Sequence, residues 1–208
     1  MAAVTAACCA ACGLIPGWPA PRPALELFKT YITGDFDNRR QVEEERRQGK
    51  QEHPFAVHIN RLANDKIEGA PPRKGFWIIE ERYYTYPEKP STINHHLFFF
   101  EDSGTNSVRL YAYELPPSLP MTALRNDNPT LRIRFEELRI SPRFKPAEYQ
   151  FDGRATFTIH APNNWDNGMT FTLIETFTPG RLEVMELLEK DGKRLTAYAT
   201  PIVYERRN

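Results

Sequence analysis

Apolar and polar residues alternate one by one along most of this chain beyond Pro54, and that period constrains its fold more than any other feature. In "EYQFDGRATFTIH", residues 148–160, Tyr149, Phe151, Gly153, Ala155, Phe157 and Ile159 share one face of an extended segment. Gln150, Asp152, Arg154, Thr156, Thr158 and His160 share the other. The spacing predicts one long, half-buried strand. "HPFAVHI", "SVRLYAYEL", "LRIRFEEL", "MTFTLIETF" and "RLEVMELL" repeat the pattern, and Asp191-Gly192 within "KDGKRL" reads as a hairpin turn. About nine or ten strands follow. No second long helical period separates them, so the connections are expected to be hairpins and the sheet antiparallel. Closure into an up-and-down barrel removes the exposed edges that such a sheet would otherwise leave.

One helix precedes the strands. Leu25, Phe28 and Ile32, with Leu27 and Tyr31 beside them, form an apolar stripe through "ALELFKTYIT", and Gly34 is expected to end it by adopting positive φ. The charged run at residues 39–53 reads as a solvated face on a short helix or loop. A single barrel domain over residues 24–208 accounts for all of this, since all-β barrels of such length are commonly one domain.

Composition narrows the partners. Lys plus Arg and Asp plus Glu both number 27, so no basic excess exists to neutralise phosphates, and nucleic acid is not an expected partner. After the first twenty residues no apolar run is long enough to cross a bilayer. The three cysteines are Cys8, Cys9 and Cys12, which leaves none to staple the barrel. Residues 1–23 are small, apolar and then Pro-rich, the composition of a disordered or processed segment. "TAAC" ending at Cys8 has the small-residue character of a lipoprotein box, which would place the protein in a bacterial envelope on a lipidated Cys8. An ordinary cytoplasmic N-terminus is the alternative.

A barrel of this size encloses either side chains or one small ligand. Aromatic residues gather in the first half: Phe76, Trp77, Tyr83, Tyr84, Tyr86, Phe98, Phe99, Phe100, Tyr111 and Tyr113. Rings on both faces of a strand cannot share one core, so one set is expected to face a pocket, an interface or solvent. His95 and His96 are adjacent and point to opposite faces, which argues against a shared metal ion. Neither a Gly-rich phosphate loop, a nucleophile elbow nor a metalloprotease signature occurs, so hydrolase and kinase chemistry have no support.

Three segments, "GDFDNRRQ", "PFAVHI" and "FWIIEERYY", resemble the CpcT/CpeT family of phycobiliprotein chromophore lyases. Gly34, Phe36, Asn38 and Gln41 match its G-x-F-x-N-x-x-Q element, Pro54, His58 and Ile59 its P-x-x-x-H-I element, and Glu80 and Tyr83 its aromatic-E-Q-x-Y strand. Pro90 matches the start of P-Y-R-x-R. The likeness continues weakly through "FDG" at Phe151–Gly153 and the terminal "VYERR". It implies a lipocalin-like (calycin) antiparallel barrel with an N-terminal helix, in which Gly34-x-Phe36 turns the helix into the barrel and the ring closes one end. The implied activity is binding a linear tetrapyrrole, a bilin, and assisting its covalent attachment to a cysteine of a phycobiliprotein β-subunit. The bilin is then a transient ligand and not a permanent cofactor, and the resemblance is consistent with a homodimer.

On that reading Asn38, His58, Glu80, Arg82 and Tyr83 are the ligand-binding candidates. A carboxylate such as Glu80 accepts hydrogen bonds from pyrrole N–H groups, and a guanidinium such as Arg82 pairs with propionates. Glu80 beside Arg82 also reads as half of an ion pair, and His58, on a face with Ala56 and Asn60, as a hydrogen-bonded structural histidine. Tyr83 lies opposite Glu80 in a regular strand, so both serve one pocket only across a bulge. Ser91, Thr92 and Asn94 stand where the family has the tyrosine and arginines of P-Y-R-x-R, and Glu81 replaces the glutamine. Propionate contacts would then fall to Arg82, Arg109, Arg132 or Arg134. The alternative is a non-catalytic lipocalin-like envelope lipoprotein that binds another amphipathic molecule.

Overall fold

The computed structural model describes residues 23–86 and 89–207. Expectations for the N-terminal segment, the lipidated Cys8 among them, lie outside the described residues. The order of elements is α1 (Ala24–Ile32), β1 (Gly34–Asp37), α2 (Arg39–Arg47), β2 (Phe55–Leu62), β3 (Ile67–Glu68), β4 (Gly75–Tyr86), β5 (Lys89–Gly104), β6 (Ser107–Glu114), β7 (Ile133–Arg134), β8 (Arg139–Ile140), β9 (Ala147–Phe151), β10 (Phe157–Asn164), β11 (Met169–Thr178), β12 (Arg181–Lys190), β13 (Lys193–Arg194) and β14 (Ile202–Arg206).

Ten of these strands make a closed antiparallel barrel. Running around it, β1, β2, β4, β5, β6, β9, β10, β11, β12 and β14 each pair with the next, and β14 returns to β1. This is the expected lipocalin-like, up-and-down closure. Alternation sets the inner face: Ala56, His58 and Asn60 of β2, Phe157, Ile159, Ala161 and Asn163 of β10, and Leu182 and Val184 of β12 are all buried.

The stretch read as one strand at residues 148–160 is instead two. β9 and β10 are joined by a tight connection in which Asp152 accepts hydrogen bonds from the backbone N–H groups of Arg154, Ala155 and Thr156, with Gly153 at φ 78°. The turn spans residues 152–156, an odd number, so Tyr149 and Phe157 still face inward on both arms and the period runs through the reversal undisturbed. "LRIRFEEL" also departs from expectation. It holds only the two-residue β7, paired in parallel with β3, and a short 3₁₀ turn.

That segment has another task. Leu124, Leu131, Ile133 and Leu138 pack on Trp77, Ile79, Leu97 and Phe99, the outward face of β4 and β5. Trp77 and Phe99 of the outward set are therefore buried, because the chain between β6 and β8 folds back to cover them, while Tyr83, Tyr111 and Tyr113 stay half-buried.

Inside, α1 plugs one end. Its apolar stripe buries Leu25, Phe28 and Ile32, and the Phe28 ring lies 5.2, 4.6, 5.0 and 5.5 Å from the rings of Phe100, Tyr149, Phe157 and Phe177. The helix ends as the sequence suggested, with Gly34 at φ 146° where the chain enters β1. Its last carbonyls, those of Thr30, Tyr31 and Thr33, accept from the guanidinium of Arg206, which also lies 4.6 Å over the buried Phe36 ring. A cation at a helix C-terminus is favoured by both the hydrogen bonds and the macrodipole. α2 lies outside, largely exposed, with Val42 buried.

Candidate functional site

Beyond the aromatic plug the barrel interior turns polar. On β4, residues of even number point inward, so Glu80 and Arg82 follow Ile78 into the barrel. Arg82 Nε donates to Glu80 Oε2 at 2.8 Å, and its Nη1 donates to Glu186 from β12. His58 Nδ1 stands 3.2 Å from Glu80 Oε1, and the His58 ring lies 4.3 Å from that of Tyr204. His58 Nε2 is buried with no hydrogen-bond partner among the described residues. Close by, Tyr149 donates its hydroxyl hydrogen to Glu175, which is 5% exposed on β11.

Two carboxyls, Glu80 and Glu186, thus share one guanidinium, and a third, Glu175, lies near them. Burial opposes ionisation of Glu80, but the Arg82 guanidinium, with the His58 ring close by, outweighs it and holds that carboxyl well below the usual range. Glu175 has no such pairing. Burial pushes it up to about 7, Arg82 recovers part of the shift, and the charge of Glu80 adds to it. His96, inward on β5 opposite Glu80, is brought down to about 4 by burial and then by Arg82.

The layer borders a small cavity of about 70 Å³ lined by Arg82, His96, Phe98, Ala161, Leu173 and Glu186. Farther out, at the end away from α1, a chamber of about 850 Å³ occupies the mouth. Tyr86, Trp165, Phe171 and Tyr198 wall it, and Glu186 belongs to both spaces.

Of the five residues named from sequence, the structure brings His58, Glu80 and Arg82 together in the interior. Tyr83 points out of the barrel. The register shift on β4 comes after Tyr84, too late to turn it inward. Its hydroxyl donates to Glu81, and it is pushed up to about 12 by burial and by that carboxylate. Asn38 is fully buried but serves the backbone: its amide donates to Pro54 O at 2.8 Å and accepts from Ala56 N at 2.8 Å. Gln41 does the same across the barrel seam, donating to Pro201 O and accepting from Val203 N. His95 faces outward under the covering segment, with Nδ1 2.9 Å from Met121 O, whereas His96 faces inward. Arg109 pairs with Glu148, Arg132 with Glu68 and Arg134 with Glu136 and Glu137, all on the outer surface. Among the cationic candidates named from sequence, only Arg82 enters the barrel.

Sequence reasoning missed Glu175, Tyr149 and Glu186 as site residues. A signal was present in "MTFTLIETF", where Glu175 interrupts the inward row of Phe171, Leu173 and Phe177. No protein-family model matches this sequence, and no curated protein matches it either.

Proposed function

We propose that this chain binds an amphipathic, ring-bearing small molecule across the mouth of its barrel, with a linear tetrapyrrole as the concrete candidate. The observation that carries the reading is the chamber of about 850 Å³, walled by aromatic rings and floored by Glu186, in the size range of small-molecule sites. The inner cavity of about 70 Å³ accepts a few waters or the tip of a ligand, so a bilin would lie in the mouth and not within the barrel. There Glu186, which with Glu52 supplies the carboxylates of the chamber lining, is in reach of pyrrole N–H groups, and Arg82 behind it fixes its orientation.

Residues 24–208 contain no cysteine, so no thiol relay could run on them. Assistance to a phycobiliprotein, if the CpcT/CpeT resemblance extends to activity, consists of holding the bilin while the partner's thiolate adds to it. The second reading, a non-catalytic carrier of another amphiphile, is favoured by Ser91, Thr92 and Asn94 in place of the family's tyrosine and arginines. Titration of the full chain with biliverdin and phycocyanobilin, followed by visible circular dichroism, tests the proposal. An induced band at micromolar affinity, weakened at least fivefold in Glu186→Gln, is the expected result. No induced band with either pigment rejects the tetrapyrrole.

A further inference from the structure

The lip of the chamber carries a guanidinium that has no carboxylate partner among the described residues. Arg143 stands 4.2 Å over the Trp165 ring, and Trp165 stacks on Phe171 at 5.4 Å with an interplanar angle of 3°. Phe144 closes the group edge-on, 5.8 Å from Trp165 and 5.5 Å from Phe171. The Trp165 indole N–H donates to Arg143 O at 2.8 Å, and Pro142 and Pro146 restrict the backbone on either side. Arg143, on the chamber lining, is exposed and forms no ion pair among the described residues. Behind Arg143 lies Glu186, which with Glu80 surrounds Arg82 in the interior.

We infer that Arg143 selects ligands bearing an acidic group, so that the chamber takes an anionic amphiphile ring-end inward and acid-end at the lip. This rests on the ligand-binding reading above and adds the class and orientation of the ligand. Charge sorting fixes the orientation, because an acid carried inward would meet Glu186 while an acid at the rim meets Arg143, which has no ion pair among the described residues. Stacking on Trp165 holds the guanidinium in place before the ligand arrives, which reduces the ordering cost of binding.

Two fluorescent probes that share one ring skeleton test it: 1-anilinonaphthalene-8-sulfonate, and N-phenyl-1-naphthylamine, which lacks the sulfonate. With the full chain at low salt the sulfonate is expected to bind about tenfold more tightly than the neutral probe, and the gap should narrow in 0.5 M NaCl. Arg143→Gln should weaken the sulfonate roughly five- to tenfold and leave the neutral probe within about twofold, with melting unchanged. Equal affinities, or a variant that weakens both probes alike, would overturn the anion preference while leaving the chamber a binding site. Binding of neither probe overturns the ligand-binding reading and this inference with it.

Discussion

Asn38 illustrates how a residue that looks like a ligand contact can be spent mainly on the backbone. Its amide satisfies a buried carbonyl at Pro54 and a buried N–H at Ala56, which the antiparallel ladder leaves without partners where β2 begins. Asn38→Ala strands both groups and should cost about 2–4 kcal/mol, read as a lower urea midpoint. Bilin affinity of the protein that remains folded should not change. Sequence alone could not separate Asn38 from Glu80, because both are polar residues within a motif and only the third dimension shows which one meets backbone. Face parity did the sorting where a strand was regular. It put Glu80 and Arg82 on one side and Tyr83 on the other, as found, and the same count along β11 leads to Glu175. The lip residues were not legible, since Arg143 and Trp165 meet across a connection with no period.

At the level of elements, α1, β1 and β14 act as one assembly. Gly34 provides the space that Arg206 fills, since a Cβ there would lie 2.0 Å from its Nη1. Arg206→Ala is expected to cost about 1–3 kcal/mol through the lost caps on α1. Gly34→Ala should be destabilising in the wild type and less so in Arg206→Ala, where only the strain of φ 146° remains. Chemical denaturation of the two single variants and the double variant measures that coupling. The strands were legible from period two because ten of them present one face to a common interior. The failures have a shared cause: the β9–β10 turn keeps the parity of its arms, and residues 131–138 alternate because they cover outward rings, not because they extend a sheet.

Across the whole molecule, the interior charges set how stability responds to pH. Glu175, raised to about 7 from 4.5, keeps a proton in the fold that the unfolded chain releases, so its contribution is present below about pH 4.5 and is lost as pH rises to 7. His96, lowered to about 4 from 6.5, has the opposite sign, contributing above about pH 6.5 and losing that contribution as pH falls to 4. The two slopes cancel between about pH 4.5 and 6.5, and below that range the His96 loss ends near pH 4 while the depressed Glu80 carries the acid loss further. Glu175→Gln removes one slope. Stability of that variant should then climb by about 1.4 kcal/mol per pH unit between pH 4.5 and 6.5, where the wild type is flat, as read from urea midpoints across that range. The barrel also has a seam, where β1 meets β14 through two residue pairs while β11 and β12 share ten. Gln41 reaches across it to Pro201, 160 positions away, and Arg40 to Glu205. On a ribosome the sheet therefore stays an open ribbon with two bare edges until residues 202–206 emerge, and the ligand chamber comes into being only when the last strand arrives.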